Sequence, residues 1–320
     1  MLMNFDEVSA RINNGELIHV SGAEGLLRKL PIGKWIGGST EYFMSEQGGK
    51  VSDTLMFVTA FPYDNFSIKS YDALEISHVA SDAYDNGFSI AIVPFDSEVH
   101  REYAENAAGF KDIFMKNIVG WIAGINLGKQ GQTPIAVNGL TGEVFSDKAV
   151  VMHLEIEKDK IAVVNIVNIF EPDENSPVIQ FAEEGFSVGK CLIDGVETVL
   201  SDYIAQNNID TKLPIVGNYS GASINVSFRG IENGMVNFYA PVFDDIKYRF
   251  AKNISSYASA FQSRIQDINA LDTAFSCNCI LNFLYGELEG KKIEAFEGPI
   301  TFGEIAYHLV NQTLVYVTVQ

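Results

Sequence analysis

Residues Lys148–Phe170 read KAVVMHLEIEKDKIAVVNIVNIF. Two runs rich in β-branched and apolar residues flank the charged tetrapeptide Glu157–Lys160. Neither run shows the i, i+3, i+4 spacing of an amphipathic helix, and both have the composition of strands. The stretch predicts two long strands joined by a tight turn, and so a sheet-rich chain with antiparallel neighbours.

N-terminal to this stretch, helix and strand alternate. NFDEVSARINN places Phe5, Val8 and Ile12 on one helical face. SGAEGLLRKLP offers Ser21 and Glu24 as a capping box ahead of a helix that Pro31 ends. KWIGG, TLMFVTAF and FSIKSY read as strands. DALEISHVASDAYDNG has helical spacing closed by Gly87, the buried-looking strand FSIAIVPF follows, and SEVHREYAENA resumes helix. C-terminal to it, FSVGKCLIDG, IKYRFAK and TLVYVTVQ are strands, while VETVLSDYIAQN and NISSYASAFQSRIQDI are helices. Asn233-Gly234, between two alternating runs, is the strongest turn signal in the chain and predicts a two-residue hairpin.

The fold class expected is therefore mixed α/β (α+β): large, mostly antiparallel sheets packed with helices, in two related or interlocked halves, residues 1–175 and 176–320. The junction EPDENSP is loop-sized, so the halves should share an interface rather than hang on a linker. IGGSTEYFMS and VNGLTGEVFS echo each other weakly; a divergent duplication and two unrelated strand-to-loop turns both account for that.

Composition narrows the function classes. A net charge of −19 repels a phosphate backbone and an anionic bilayer, so neither nucleic acid nor a membrane surface is expected as partner. No apolar run reaches the roughly 18 residues of a spanning helix, and the opening MLMNFDEVSARINNGELIHV has no basic-then-apolar leader pattern. Three cysteines without framework spacing fit a reducing compartment, so the expected location is the cytoplasm.

Chemistry-bearing motifs are few. Cys277 and Cys279 are too close for a structural zinc pair and the five histidines lack ligand spacing, so no metal and no cofactor is expected. No phosphate-binding glycine loop and no serine elbow occurs. Gly37-Gly38-Ser39-Thr40 would bring backbone amides and two hydroxyls to the end of a strand, where a small polar ligand or a plain turn would both be served. Glu41, Glu143 and Glu304 each follow a glycine-bearing turn and could meet a ligand ammonium. Cys277 with His308 would suit a thiol enzyme, a hydrolase or transferase.

AFSCNC (Ala274–Cys279) followed by GPITFGEIAYHLVNQTLV (Gly298–Val315) resembles the end of the FIST (F-box and intracellular signal transduction) sensory domain. WIGGSTEYF, PIAVNGLTGEVFSDKAVVMHLEI, CLIDGVETVLSDYI and IENGMVNFYAPVFDDIKYRF are similar to its earlier segments, with Asn278 and Cys279 standing where that family carries an arginine. The resemblance to a divergent member implies an intracellular sensor of small molecules such as amino acids, signalling through a partner protein. On that reading Gly38, Ser39, Thr40, Asn138, Gly139 and Thr141 wall a pocket that Cys277, Gly303 and Glu304 face from the other half. Glu304 would anchor the amine of an amino acid or similar amine-bearing ligand.

Overall fold

The computed structural model describes residues 1–219, 222–265, 273–292 and 296–320. Four six-stranded sheets and one three-stranded sheet carry the fold, with few and short helices between them. Most strand pairs are antiparallel; the parallel ones are Leu17–Gly22 with Trp35–Ser39, Gly87–Pro94 with Ile118–Ala123, and Thr273–Cys279 with Gly298–Thr301.

The halves interlock through two of the sheets. Glu304–Ala306 and His308–Val310 from the end of the chain extend a sheet built on Ile118–Ala123, Gly87–Pro94, Ala149–Glu155 and Phe66–Tyr71. In return, Tyr42–Ser45 and Gly48–Val51 extend the sheet of the closing strand Thr313–Val319 through Gly298–Thr301. Gly303, at φ +155°, is the kink that carries the chain from one of these sheets to the other.

The two strands of Lys148–Phe170 form, but they do not pair. Ala149–Glu155 lies between Phe66–Tyr71 and Gly87–Pro94, whereas Ala162–Asn168 pairs with Thr313–Val319 in another sheet. The reason is visible in burial. Ala149 to Leu154 are all buried, as an inner strand covered on both faces must be, while Ala162–Asn168 is buried only at Ala162 and Val167 and takes a sheet edge. The hairpin at Asn233-Gly234 forms as expected, with both residues at positive φ (52° and 79°).

Three expected helices differ in the structure: VETVLSDYIAQN opens with the strand Val196–Val199 before its helix Leu200–Gln206. Ser21 belongs to a strand, and the short helix Glu24–Leu27 starts after Ala23 with no side-chain cap. The segment DALEISHVASDAYDNG holds only a single 3-10 turn, Ile76–His78. Gly87 opens a strand rather than closing a helix, and glycine is needed there because a Cβ would lie 1.9 Å from the Leu154 carbonyl oxygen. Of the helix expected over NISSYASAFQSRIQDI, Tyr257–Ile265 forms, and 266–268 lie outside the described residues.

Candidate functional site

The glycine segments singled out in the sequence are places of close packing. A Cβ on Gly38 would lie 2.5 Å from Ile92 and 2.7 Å from Trp121, and one on Gly139 would lie 2.4 Å from the Trp35 ring and carbonyl. Ser39 Oγ donates to the Gly124 carbonyl at 2.8 Å and accepts from the Ile135 amide at 2.9 Å. Thr40 Oγ1 donates to the Ile300 carbonyl at 2.7 Å and accepts from the Tyr42 amide at 3.2 Å. The space beside Ser39, Thr40 and Glu41 is about 10 Å³, room for roughly one water. Glu41 itself is closed by Asn126, Lys129 and Gln132, whose bonds outweigh burial and lower its pKa.

Asn138 caps its own turn by accepting from the Leu140 amide at 3.1 Å, and exposed Thr141 donates to Glu143 at 2.8 Å. This turn and the Ser39-Thr40 pair are tied to different partners and do not converge.

Gly303 and Glu304 form the centre of a second closed arrangement. Glu304 is fully buried. Its Oε2 accepts from the Thr313 hydroxyl at 2.8 Å and the Thr313 amide at 3.3 Å. Thr301 Oγ1 lies 2.9 Å from Glu304 Oε1 and 3.2 Å from the Asn278 carbonyl. One hydroxyl proton cannot serve both oxygens, so a protonated Glu304 donating to Thr301, which then donates to Asn278, satisfies the whole chain. Burial agrees with that proton: it raises the Glu304 pKa from 4.5 to about 8 against the threonine bonds. A neutral, enclosed carboxyl is a structural bridge between two strands and has little attraction for an ammonium.

Cys277 and His308 are apart. The thiol donates to the Gly120 carbonyl at 3.4 Å, and burial, then Glu304 and Cys279, hold its pKa well above the ordinary thiol value. His308 stacks on Tyr219 with ring centres 6.3 Å apart, and its Nε2 has no hydrogen-bond partner. A thiol nucleophile requires a thiolate and a base bonded to it; burial keeps the Cys277 thiol protonated, and its hydrogen bond goes to Gly120 rather than to His308. Among the described residues no three His, Cys, Asp or Glu side chains gather as a metal site would need.

An open polar cavity lies elsewhere, where the loop after strand Gly87–Pro94 meets the three-stranded sheet of Gly185–Val188, Met235–Val242 and Phe228–Glu232. It measures about 310 Å³. Local structure explains why polar groups converge on it. Asp96 sits at φ +61°. Ser97 caps the helix Glu98–Asn106 by accepting from the His100 amide. On the facing sheet, Phe228 pairs with Phe238 and Gly230 with Asn237, so Arg229 is the extra residue of a β-bulge, a device that re-aims a side chain.

His100 is the unusual member. It is 3% exposed and packs between Phe95 and Phe186, with ring centres 5.5 and 5.9 Å away. Burial lowers its pKa to about 4, so the ring is neutral at pH 7. Nδ1 accepts from the Asp96 amide at 3.3 Å, which puts the ring proton on Nε2, and Nε2 has no partner. Leaving such a donor unpaired costs about 1–3 kcal/mol. Around it stand the aromatic rings of Phe95, Phe186 and Tyr239 and charges of both signs. The Arg229 guanidinium lies over Phe95 at 5.2 Å and 3.5 Å from Asp96, with Arg101 3.9 Å from the other Asp96 oxygen. These pairs are half-exposed and long, so either arginine can turn to another anion at little cost.

In the sequence His100 counts only among histidines without metal-ligand spacing, and the other lining residues carry no motif. The available signal was positional: PFDSEVHRE is a loop at the C-terminal end of a buried parallel strand, leading into a helix, where open sheets commonly form ligand crevices.

A family model described as a family of unknown function, DUF6976, matches residues 3–320, and the protein belongs to that family. No curated protein matches it. No helix among the described residues is long and apolar enough to cross a membrane.

Proposed function

We propose that the protein is a small-molecule sensor module whose ligand is a free amino acid or a close zwitterionic analogue, held in the His100 cavity. The observation that carries this reading is that His100, whose buried Nε2 has no partner, lines an aromatic-walled space that bears both charge signs. A carboxylate would take the His100 proton and the Arg229 guanidinium, which already lies over Phe95. An ammonium would take Asp96 or Glu232, and the side chain would lie against Phe95 and Tyr239. Charge-assisted bonds of this kind are roughly twice as strong as neutral ones.

The cavity joins the Asp96–Arg101 segment of one half to the three-stranded sheet of the other. A ligand bound there would draw the two halves together, and that change would pass to a partner protein. This keeps the sensory role that the resemblance to FIST domains implies, with a cytoplasmic location, and moves the ligand away from Glu304. The test is a thermal-shift panel of amino acids beside their decarboxylated and N-acetylated forms. Ligand at 100 times its dissociation constant adds about 2.7 kcal/mol. A zwitterion should shift the transition, and removing either charged group should abolish most of the shift. Equal shifts from all three forms, or none from any amino acid, would overturn the proposal.

A further inference from the structure

A second cavity lies on the opposite end of the same helix. It measures about 460 Å³ and is lined by Ala104, Glu105 and Ala108 on one side and by Ile224, Ala240 and Phe243 on the other. His308 and Tyr219, stacked on each other, complete the wall, and Phe114 stands 60% exposed beside them. This is the volume and the largely apolar character of a small-molecule site.

Its rim is acidic. Glu105 and Asp245 line the cavity, with Asp244 adjacent in sequence and Glu184 close enough to feel all three. Slight desolvation, then Asp244, Asp245 and Glu105, raise the pKa of the exposed Glu184, which shares a hydrogen bond with Asp244. Among the described ion pairs none involves any of these four carboxylates. Like charges held together without a cation repel, and a cationic ligand group at the rim would relieve that. Inside, His308 Nε2 is buried without a partner, a polar point in an otherwise apolar wall.

We infer that this cavity is a second binding site, for a small apolar amine: an aromatic or aliphatic body between Phe243, Ile224 and Tyr219, with its ammonium at Glu105 and Asp245. The site differs in chemistry from the His100 cavity, which carries charges of both signs, and the inference does not rest on the amino-acid reading.

The test titrates the purified full chain with 2-phenylethylamine, with 3-phenylpropionate as the oppositely charged control, by calorimetry at low and at 0.5 M salt. The amine is expected to bind and to weaken as salt rises, and the acid to show no binding. Glu105→Gln with Asp245→Asn, both exposed positions, should weaken the amine at least tenfold. Ala108→Trp, at an exposed turn on the cavity wall, should block it while leaving the urea unfolding of the unliganded chain unchanged. Failure of the amine to bind at millimolar concentration, equal binding of amine and acid, or wild-type affinity in both variants would overturn the inference.

Discussion

Glu304 and His100 are both polar side chains sunk into the protein, and they end in opposite situations. Glu304 has its oxygens taken by Thr301 and Thr313, and its proton has a path to the Asn278 carbonyl. His100 has one nitrogen bonded and the other bare, beside a cavity. A closed polar network holds strands together and gains nothing from a ligand. An open one retains an unmet bond that a ligand can satisfy. The difference does not follow residue type, since the glutamate looked the better site residue in the sequence.

The largest expected effect contrasts the two groups by pH. Burial lowers the pKa of His19 to about 3 and those of His100, His153 and His308 to about 4, from 6.5. The unfolded chain binds these protons near pH 6.5 and the folded one refuses them until near pH 4. Stability should therefore fall steeply as pH drops through that window. Denaturant titrations from pH 7 to pH 4 check this, and a flat profile would mean the histidines are not held neutral.

Glu304 should act with the opposite sign. Its folded carboxyl keeps a proton from pH 4.5 to about 8 that the unfolded chain releases, so its contribution falls as pH rises through that window. Glu304→Gln should gain on wild type by a few kcal/mol, roughly, between pH 5 and pH 8. A pH-independent difference would show that the carboxylate is already ionised in the folded protein.

Smaller effects probe the edges of the comparison. Thr40→Val removes the bond to the Ile300 carbonyl that ties the N-terminal sheet to the C-terminal strand, and leaves that carbonyl buried. It should cost about 1–3 kcal/mol in urea unfolding. Arg229→Ala, at the exposed bulge, should change stability by less than about 0.5 kcal/mol. A large loss from Arg229→Ala would place that side chain among the closed structural groups.

Much of the fold was legible because burial writes itself into composition. The uninterrupted apolar strand Gly87–Pro94, the turn at Asn233-Gly234 and the helix Phe5–Asn13 all carry local patterns that tertiary contacts then reinforce. The partners of strands were not legible. Ala149–Glu155 and Ala162–Asn168 look like a hairpin and join different sheets, because pairing depends on which edges remain free after the rest has assembled. Glycines misled in a related way: Gly38 and Gly139 are small because Trp121 and Trp35 press on them, and the sequence does not distinguish that from space left for a ligand. The His100 cavity draws on Phe95, Phe186, Arg229 and Tyr239, which are brought together only by the contact of two halves.

The most direct test compares one ligand across both regions. Using the amino acid that gives the largest thermal shift, calorimetric affinity would be measured for wild type, Arg229→Ala and Glu304→Gln. Binding at the His100 cavity predicts at least a tenfold loss in Arg229→Ala and a change of less than twofold in Glu304→Gln. The reverse pattern, with affinity lost at Glu304 and retained at Arg229, would contradict it.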